Sequence, residues 1–199
     1  MLVGLLKPDQ GTILFDGKNS GSDALAYKQD IGYVPDEPVF YERMTALEHL
    51  AFIADIYEID RHERKNRIDE LAKRLLLSDV LSDQISSYSH GMKQKLSVIA
   101  ALLPSPKLLI LDEPMVGLDP KASFILKQLL KEYAKAGNTV FFSTHVLEVA
   151  QQLCDTLGII KEGKLLYSGS FEQLQANKGE GTENLEQLFL ELTEEGTPS

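Results

Sequence analysis

The alternation of apolar and polar positions divides the chain into short strands and amphipathic helices. The clearest strand is Leu108-Leu109-Ile110-Leu111, four large apolar residues in a row, the pattern of a strand covered on both faces of a parallel sheet. Thr139-Val140-Phe141-Phe142-Ser143 is expected to be a second buried strand, and Ile31-Gly32-Tyr33-Val34 a third, ended by Pro35 and Pro38. Between these runs the period changes to that of a helix. Thr45-Ala46-Leu47-Glu48 is a capping box, and Asp60 caps a helix with Ile68, Leu71, Leu75 and Leu76 on one face. Leu96, Ile99, Ala100 and Leu103 mark an apolar helix, and residues 121–135 an amphipathic one closed by Gly137. Strands alternating with helices predict an α/β fold around a parallel sheet.

The remaining segments are smaller. Residues 1–7 read as the tail of a helix stopped by Pro8, and residues 12–15 as a strand entering an Asp16-Gly17 turn, with a loop around residues 19–22. Residues 156–160 and 164–167 flank Glu162-Gly163 as a hairpin. Residues 171–199 read as an acidic helical tail, and residues 41–88, mostly helical, as a subdomain inserted into the sheet.

The chemistry gathers at strand ends. In open α/β sheets ligands sit beyond the carboxyl ends of the strands. The 108–111 run delivers Asp112 and Glu113 there and stops at Pro114. Adjacent side chains in extended backbone point opposite ways, so one acid can face a metal and the other a reacting water. Gly117-Leu118-Asp119-Pro120 then turns into a helix with Asp119 as N-cap and Pro120 at the first helical position. His145 lies just past the 139–143 strand, at the same edge. Ser89-His90-Gly91 precedes the apolar helix, where a hydroxyl, a small residue and free N–H groups suit a phosphate or a simple serine cap. His49 and His62 have no metal-ligand spacing and are assigned to helix faces.

Composition narrows the picture. The 199 residues suffice for one domain with a sizeable core, and 43% hydrophobic with 25% charged residues is ordinary globular usage. A net charge of -10 argues against a nucleic-acid surface, which wants a basic stripe. The single cysteine, Cys154, excludes a disulfide framework and reads as a small buried hydrophobe. No apolar run reaches the length that spans a bilayer, so service to a membrane would pass through a partner.

Taken together and in order, these pieces resemble the nucleotide-binding subunit of an ATP-binding cassette (ABC) transporter. Residues 88–95 resemble the signature segment, 108–113 the Walker B strand, 116–120 the D-loop and 143–145 the switch-histidine region. The resemblance implies a P-loop NTPase-like (RecA-like) parallel core with an inserted helical subdomain and a small antiparallel part. Its stretches would be a partial core with a Q-loop-like region at 1–40, the helical subdomain at 41–88, the rest of the core at 89–170 and a helical tail at 171–199. It implies ATP and Mg2+ as ligands. Asp112 would hold Mg2+ through water, Glu113 would orient the attacking water, and His145 would contact the γ-phosphate. Ser89 and Gly91 would grip the γ-phosphate of ATP bound mainly to a second ABC subunit, and Asp119 would link the two sites. Asp36 stands where the family usually has a metal-contacting glutamine, and His90 and Met92 replace the usual glycine and glutamine of the signature.

One family element is missing from the 199 residues: no G-x-x-x-x-G-K-[ST] phosphate cradle occurs in them. The expectation is a truncated or mis-started chain, without the first strands, with bare sheet edges and little hydrolysis alone. The partners implied are a second cassette, identical or not, and integral membrane permease subunits, with no nucleic acid. The place implied is the cytoplasmic face of the cell membrane. The Tyr88-Ser89-His90-Gly91-Met92 form and residues 185–193 resemble subfamilies paired with multi-span export permeases. The alternatives are an ATPase-dead interaction module and a soluble ABC ATPase outside transport.

Overall fold

A computed structural model describes residues 1–19, 24–178 and 185–194. The chain forms two compact units, Met1–Ser143 and Thr144–Ser199.

The first unit is built on a three-stranded parallel sheet. Strand β3 (Ile31–Val34) and β5 (Thr139–Ser143) flank the central β4 (Leu108–Asp112). The register pairs Val34 with Leu111 and Asp112 with Ser143, so all three strands end at one edge. Period-two alternation splits β4 between two cores. Leu109 and Leu111 join the main cluster with Val34, Leu50, Leu96 and Leu126, while Ile110 packs with Tyr27 and Ile31 on the other face. Gly32 is required by close approach: a Cβ there would lie 2.5 Å from the Ala101 carbonyl oxygen.

The edge strand β5 departs from expectation. It is not buried on both faces: Val140 and Phe142 pack on the main core, but Phe141 is 54% exposed. Among the described residues the sheet ends at β5, which leaves one edge of that strand unpaired.

Before the sheet, β1 (Leu14–Phe15) and β2 (Lys18–Asn19) form a two-stranded antiparallel ribbon across Asp16-Gly17, so Asn19 belongs to a strand rather than a loop. Residues 1–7 are turns, not a helix tail. Gly4 takes φ 77, a left-handed value that breaks a helix. A short helix, α1 (Ala24–Gln29), follows; its Tyr27 hydroxyl donates to the Leu2 carbonyl at 2.6 Å.

The insert contains α2 (Ala46–Ile56) and α3 (Arg61–Arg74). The expected capping box forms: Glu48 N–H donates to Thr45 Oγ1 at 3.1 Å and Thr45 N–H to Glu48 Oε2 at 2.8 Å. Asp60 caps α3 by accepting from His62 N–H at 2.8 Å. Leu76 is not on the apolar face of α3. The helix ends at Arg74, Leu76 takes φ 57 and is 51% exposed, and Leu77 enters the core instead. Arg67 donates to the Leu103 carbonyl at 2.7 Å and so ties α3 to the end of α4 (His90–Leu102). The first unit is completed by α5 (Pro120–Lys135) between β4 and β5, whose Leu126, Leu129 and Leu130 face the main core.

In the second unit α6 (Leu147–Leu153) is followed by the antiparallel pair β6 (Leu157–Lys161) and β7 (Lys164–Gly169). Helices α7 (Phe171–Lys178) and α8 (Leu185–Glu194) supply Leu174, Leu185 and Leu188 to its core beside Leu157 and Ile159.

Candidate nucleotide-binding edge

The carboxyl edge of the sheet carries the acids. Asp112 ends β4 and is half-buried. Its in-register neighbour Ser143 donates from Oγ to Asp112 Oδ1 at 2.5 Å, and the same Oγ accepts from Glu113 N–H at 3.2 Å. The alternation expected of two acids on extended backbone does not occur. Glu113 adopts φ 45, a left-handed value, so the chain leaves the strand direction at that residue. The two carboxylates are separated by a turn, not by the pleat.

Asp36 leaves the sheet at the same edge, two residues beyond Val34. Tyr33 reports both acids: its phenol is pushed up, first by burial and then by the negative charges of Asp112 and Asp36. Asp36 and Asp112 therefore act on one electrostatic neighbourhood.

The turn before α4 and the loop before α5 also come together in this unit. Ser89 caps α4, accepting from Met92 N–H at 3.3 Å, which leaves its own O–H to donate. Packing alone requires Gly91 to be small. A Cβ on it would lie 2.9 Å from the Gly117 carbonyl oxygen. Gly117 in turn has φ 75, and a Cβ there would lie 2.1 Å from His90 Cδ2. Asp119 caps α5, accepting from Lys121 and Ala122 N–H at 2.9 Å each. The Ala122 bond foremost, with a smaller contribution from the Lys95 charge, holds its carboxyl below the usual range. Lys95 is pushed down by burial and partly restored by Asp119.

His145 is the second residue of the second unit and is exposed. Of the seven expected site residues, Asp112, Glu113 and Asp36 therefore share the sheet edge, Gly91 meets the loop before α5 at Gly117 with Ser89 and Asp119 as the flanking helix caps, and His145 lies in the second unit. Sequence reasoning missed Ser143, Tyr33 and His90 as parts of these groups. Ser143 was findable: two five-residue strands laid in parallel register place a terminal hydroxyl beside a terminal acid. His49, assigned to a helix face, is buried against Phe40 in an edge-to-face contact with ring centroids 5.0 Å apart.

Donor chemistry at the edge is all oxygen, from Asp112, Asp36 and hydroxyls, and no group of three His, Cys, Asp or Glu side chains forms a cation cage among the described residues. That set fits Mg2+, which takes one or two carboxylates and completes its shell with phosphate oxygens and water. An acid-tipped central strand in a parallel sheet with a helical insert defines a nucleotide-binding α/β protein of the P-loop NTPase-like class.

Comparison with known proteins agrees. The ABC transporter family model matches residues 1–116. The ABC transporter ATP-binding protein NatA of Bacillus subtilis is 35% identical over 191 residues, 96% of this chain and 77% of that protein. The bacitracin transport ATP-binding protein BcrA of Bacillus licheniformis is 40% identical over 176 residues, 88% of this chain and 56% of that protein. A solved ATP-binding subunit of an ABC transporter superposes with a TM-score of 0.89 at 33% identity, over 96% of this chain and 80% of that one. The chain belongs to the ATP-binding subunits of the ABC transporter family.

Proposed function

We propose that the chain energises a membrane permease by ATP hydrolysis in a head-to-tail pair of cassettes, and that the transport it drives is export. The observation that carries this reading is the sheet edge itself, where Asp112 ends the central strand and Glu113 turns away from it. Bound Mg2+ would supply charge neutralisation for the transferring phosphoryl group. Asp112 would hold it through water, with Asp36 beside it. The Glu113 carboxylate would orient and polarise the attacking water, and His145 would donate toward the γ-phosphate. Ser89 and the amides of the α4 N-terminus would grip a γ-phosphate presented by the partner cassette. Asp119, held as a carboxylate by its cap bonds, would connect the two sites.

The membrane side of the reading is supported by the insert and the residues that lead into it. Val39 is 92% exposed, and Tyr41, Phe52 and Ile56 are also exposed, with the Tyr41 and Phe52 rings edge-to-face at 6.4 Å. Exposed large apolar side chains of this kind suit a protein contact. Beside it lies a cavity of about 450 Å³ lined by Pro35, Pro38, Phe40, Ile53 and Tyr57. No helix among the described residues is long and apolar enough to cross a membrane. In this reading the permease is a separate protein that docks on the patch. The Tyr88-Ser89-His90-Gly91-Met92 form is what supports export.

A second reading is favoured by the lack of G-x-x-x-x-G-K-[ST] in the 199 residues: taken alone, they would grip phosphate at the signature turn and hydrolyse little.

The test is isolation of the native complex through a C-terminal tag on this chain. A multi-span membrane protein should co-purify, and the complex should hydrolyse ATP. Glu113→Gln should reduce turnover by at least ~100-fold, within the range for losing a general base. Unchanged turnover would remove Glu113 from the mechanism, and no membrane partner would favour a soluble ABC ATPase.

A further inference from the structure

The Ser143 hydroxyl touches two of the three acidic residues of the sheet edge, the Asp112 carboxylate and the Glu113 amide. Parallel register brings it opposite Asp112. A hydroxyl has one hydrogen to donate and two lone pairs to accept with. Here the hydrogen goes to Asp112 Oδ1 at 2.5 Å, and a lone pair takes the Glu113 N–H at 3.2 Å. The donor fixes the rotation of the Asp112 carboxylate and engages one named oxygen, which leaves Oδ2 to accept from metal-bound water. The acceptor anchors the first amide of the turn in which Glu113 holds φ 45. Neither alanine nor an apolar residue could do both.

We propose that Ser143 is a positioning residue for the hydrolytic site: one hydroxyl sets which oxygen of Asp112 faces the metal and where the turn carrying Glu113 begins. The proposal rests on the reading that Asp112 holds the metal. The chemistry asks for a small hydroxyl at this register, so threonine should substitute and alanine should not. Threonine is also well suited to a strand.

The experiment is nuclear magnetic resonance on the full 199-residue chain, labelled with 13C and 15N and titrated with Mn2+ alone. In the parent chain the Asp112 side-chain carboxyl signal should broaden at lower Mn2+ than that of exposed Asp9. The three-bond coupling from Asp112 N to its carboxyl carbon should report a single rotamer. Ser143→Ala should move the Asp112 broadening midpoint at least fivefold higher in Mn2+ and average the coupling, with amide dispersion elsewhere retained. Ser143→Thr should restore both. If Asp112 in the parent chain broadens no earlier than Asp9, the metal reading of Asp112 is wrong and the proposal falls with it. If it broadens early and Ser143→Ala changes neither midpoint nor coupling, the proposal alone is overturned. Should Ser143→Ala lose amide dispersion, Ser143→Thr decides: a parent-like midpoint and coupling uphold the hydroxyl's role, and a shifted midpoint in a folded Thr variant overturns it.

Discussion

The imidazole of His90 fills the space above the Gly117 α-carbon so closely that a Cβ there would lie 2.1 Å from His90 Cδ2. Two penalties therefore meet at Gly117. Its φ of 75 costs a side-chain-bearing residue ~1–2 kcal/mol, and the ring adds a steric clash. Gly117→Ala should destabilise the protein by more than the backbone cost alone in urea unfolding. His90→Ala in the same chain should recover the steric part and leave the backbone part. Strictly additive effects would mean that the ring moves away without cost.

Asp119 has an observed role as a cap and a proposed role between nucleotide sites, and one substitution separates them. As N-cap of α5 it accepts from two backbone N–H groups, and Asp119→Ala should cost ~1 kcal/mol. Asp119→Asn keeps an oxygen that can cap, so stability should fall only slightly. If the charge links the two nucleotide sites, ATPase of the isolated complex should still drop about tenfold or more, a loss of ~1.4 kcal/mol. Parent-like turnover in Asp119→Asn would leave Asp119 as a cap and nothing more.

Local features of the fold are legible in the amino-acid sequence. The capping residues Thr45, Asp60 and Asp119 do as their sequence context says, because caps depend on a few adjacent residues. The apolar run 108–111 lies in the sheet centre because its side chains alternate to two faces, and both are covered. Non-local features are not legible in this way. Phe141 looks buried by composition, yet its exposure depends on what covers its face of β5, opposite the Val140 and Phe142 face. Glu113 looks extended by its neighbours, yet the turn after β4 fixes its φ. The His90–Gly117 contact joins residues far apart in the chain, and no periodicity announces it. Leu76 and Leu77 show the finer limit: one left-handed residue after α3 exchanges which leucine is inside.

The exposed patch on the insert offers a prediction independent of catalysis. Val39, Tyr41 and Ile56 contribute little to folding because they are mostly in water. Val39→Asp combined with Ile56→Asp should therefore shift unfolding by less than ~1 kcal/mol, as surface changes do. The same pair should remove the membrane protein from the tagged complex. Retention of that protein would place the permease contact elsewhere.

His49 should make stability pH-dependent in a defined direction. It is buried beside Phe40, and its Nδ1 has no hydrogen-bond partner. Burial disfavours the imidazolium and pushes its pKa below the ordinary value. Well above pH ~6.5 the imidazole is neutral in both the folded and unfolded chain, so it contributes no slope. As pH falls below that value, the unfolded chain takes up the proton first and the folded state is penalised. The loss approaches ~1.4 kcal/mol per pH unit for one proton and stops once pH passes the lowered folded value. His49→Leu keeps an apolar body of similar size and cannot titrate. Urea unfolding at pH 7.5, 6 and 5 should therefore show the parent chain losing stability faster than the variant between about pH 6.5 and 5. Parallel losses in the two chains would mean that the imidazole reaches water or a partner on protonation, and that its burial imposes no cost on the charged form.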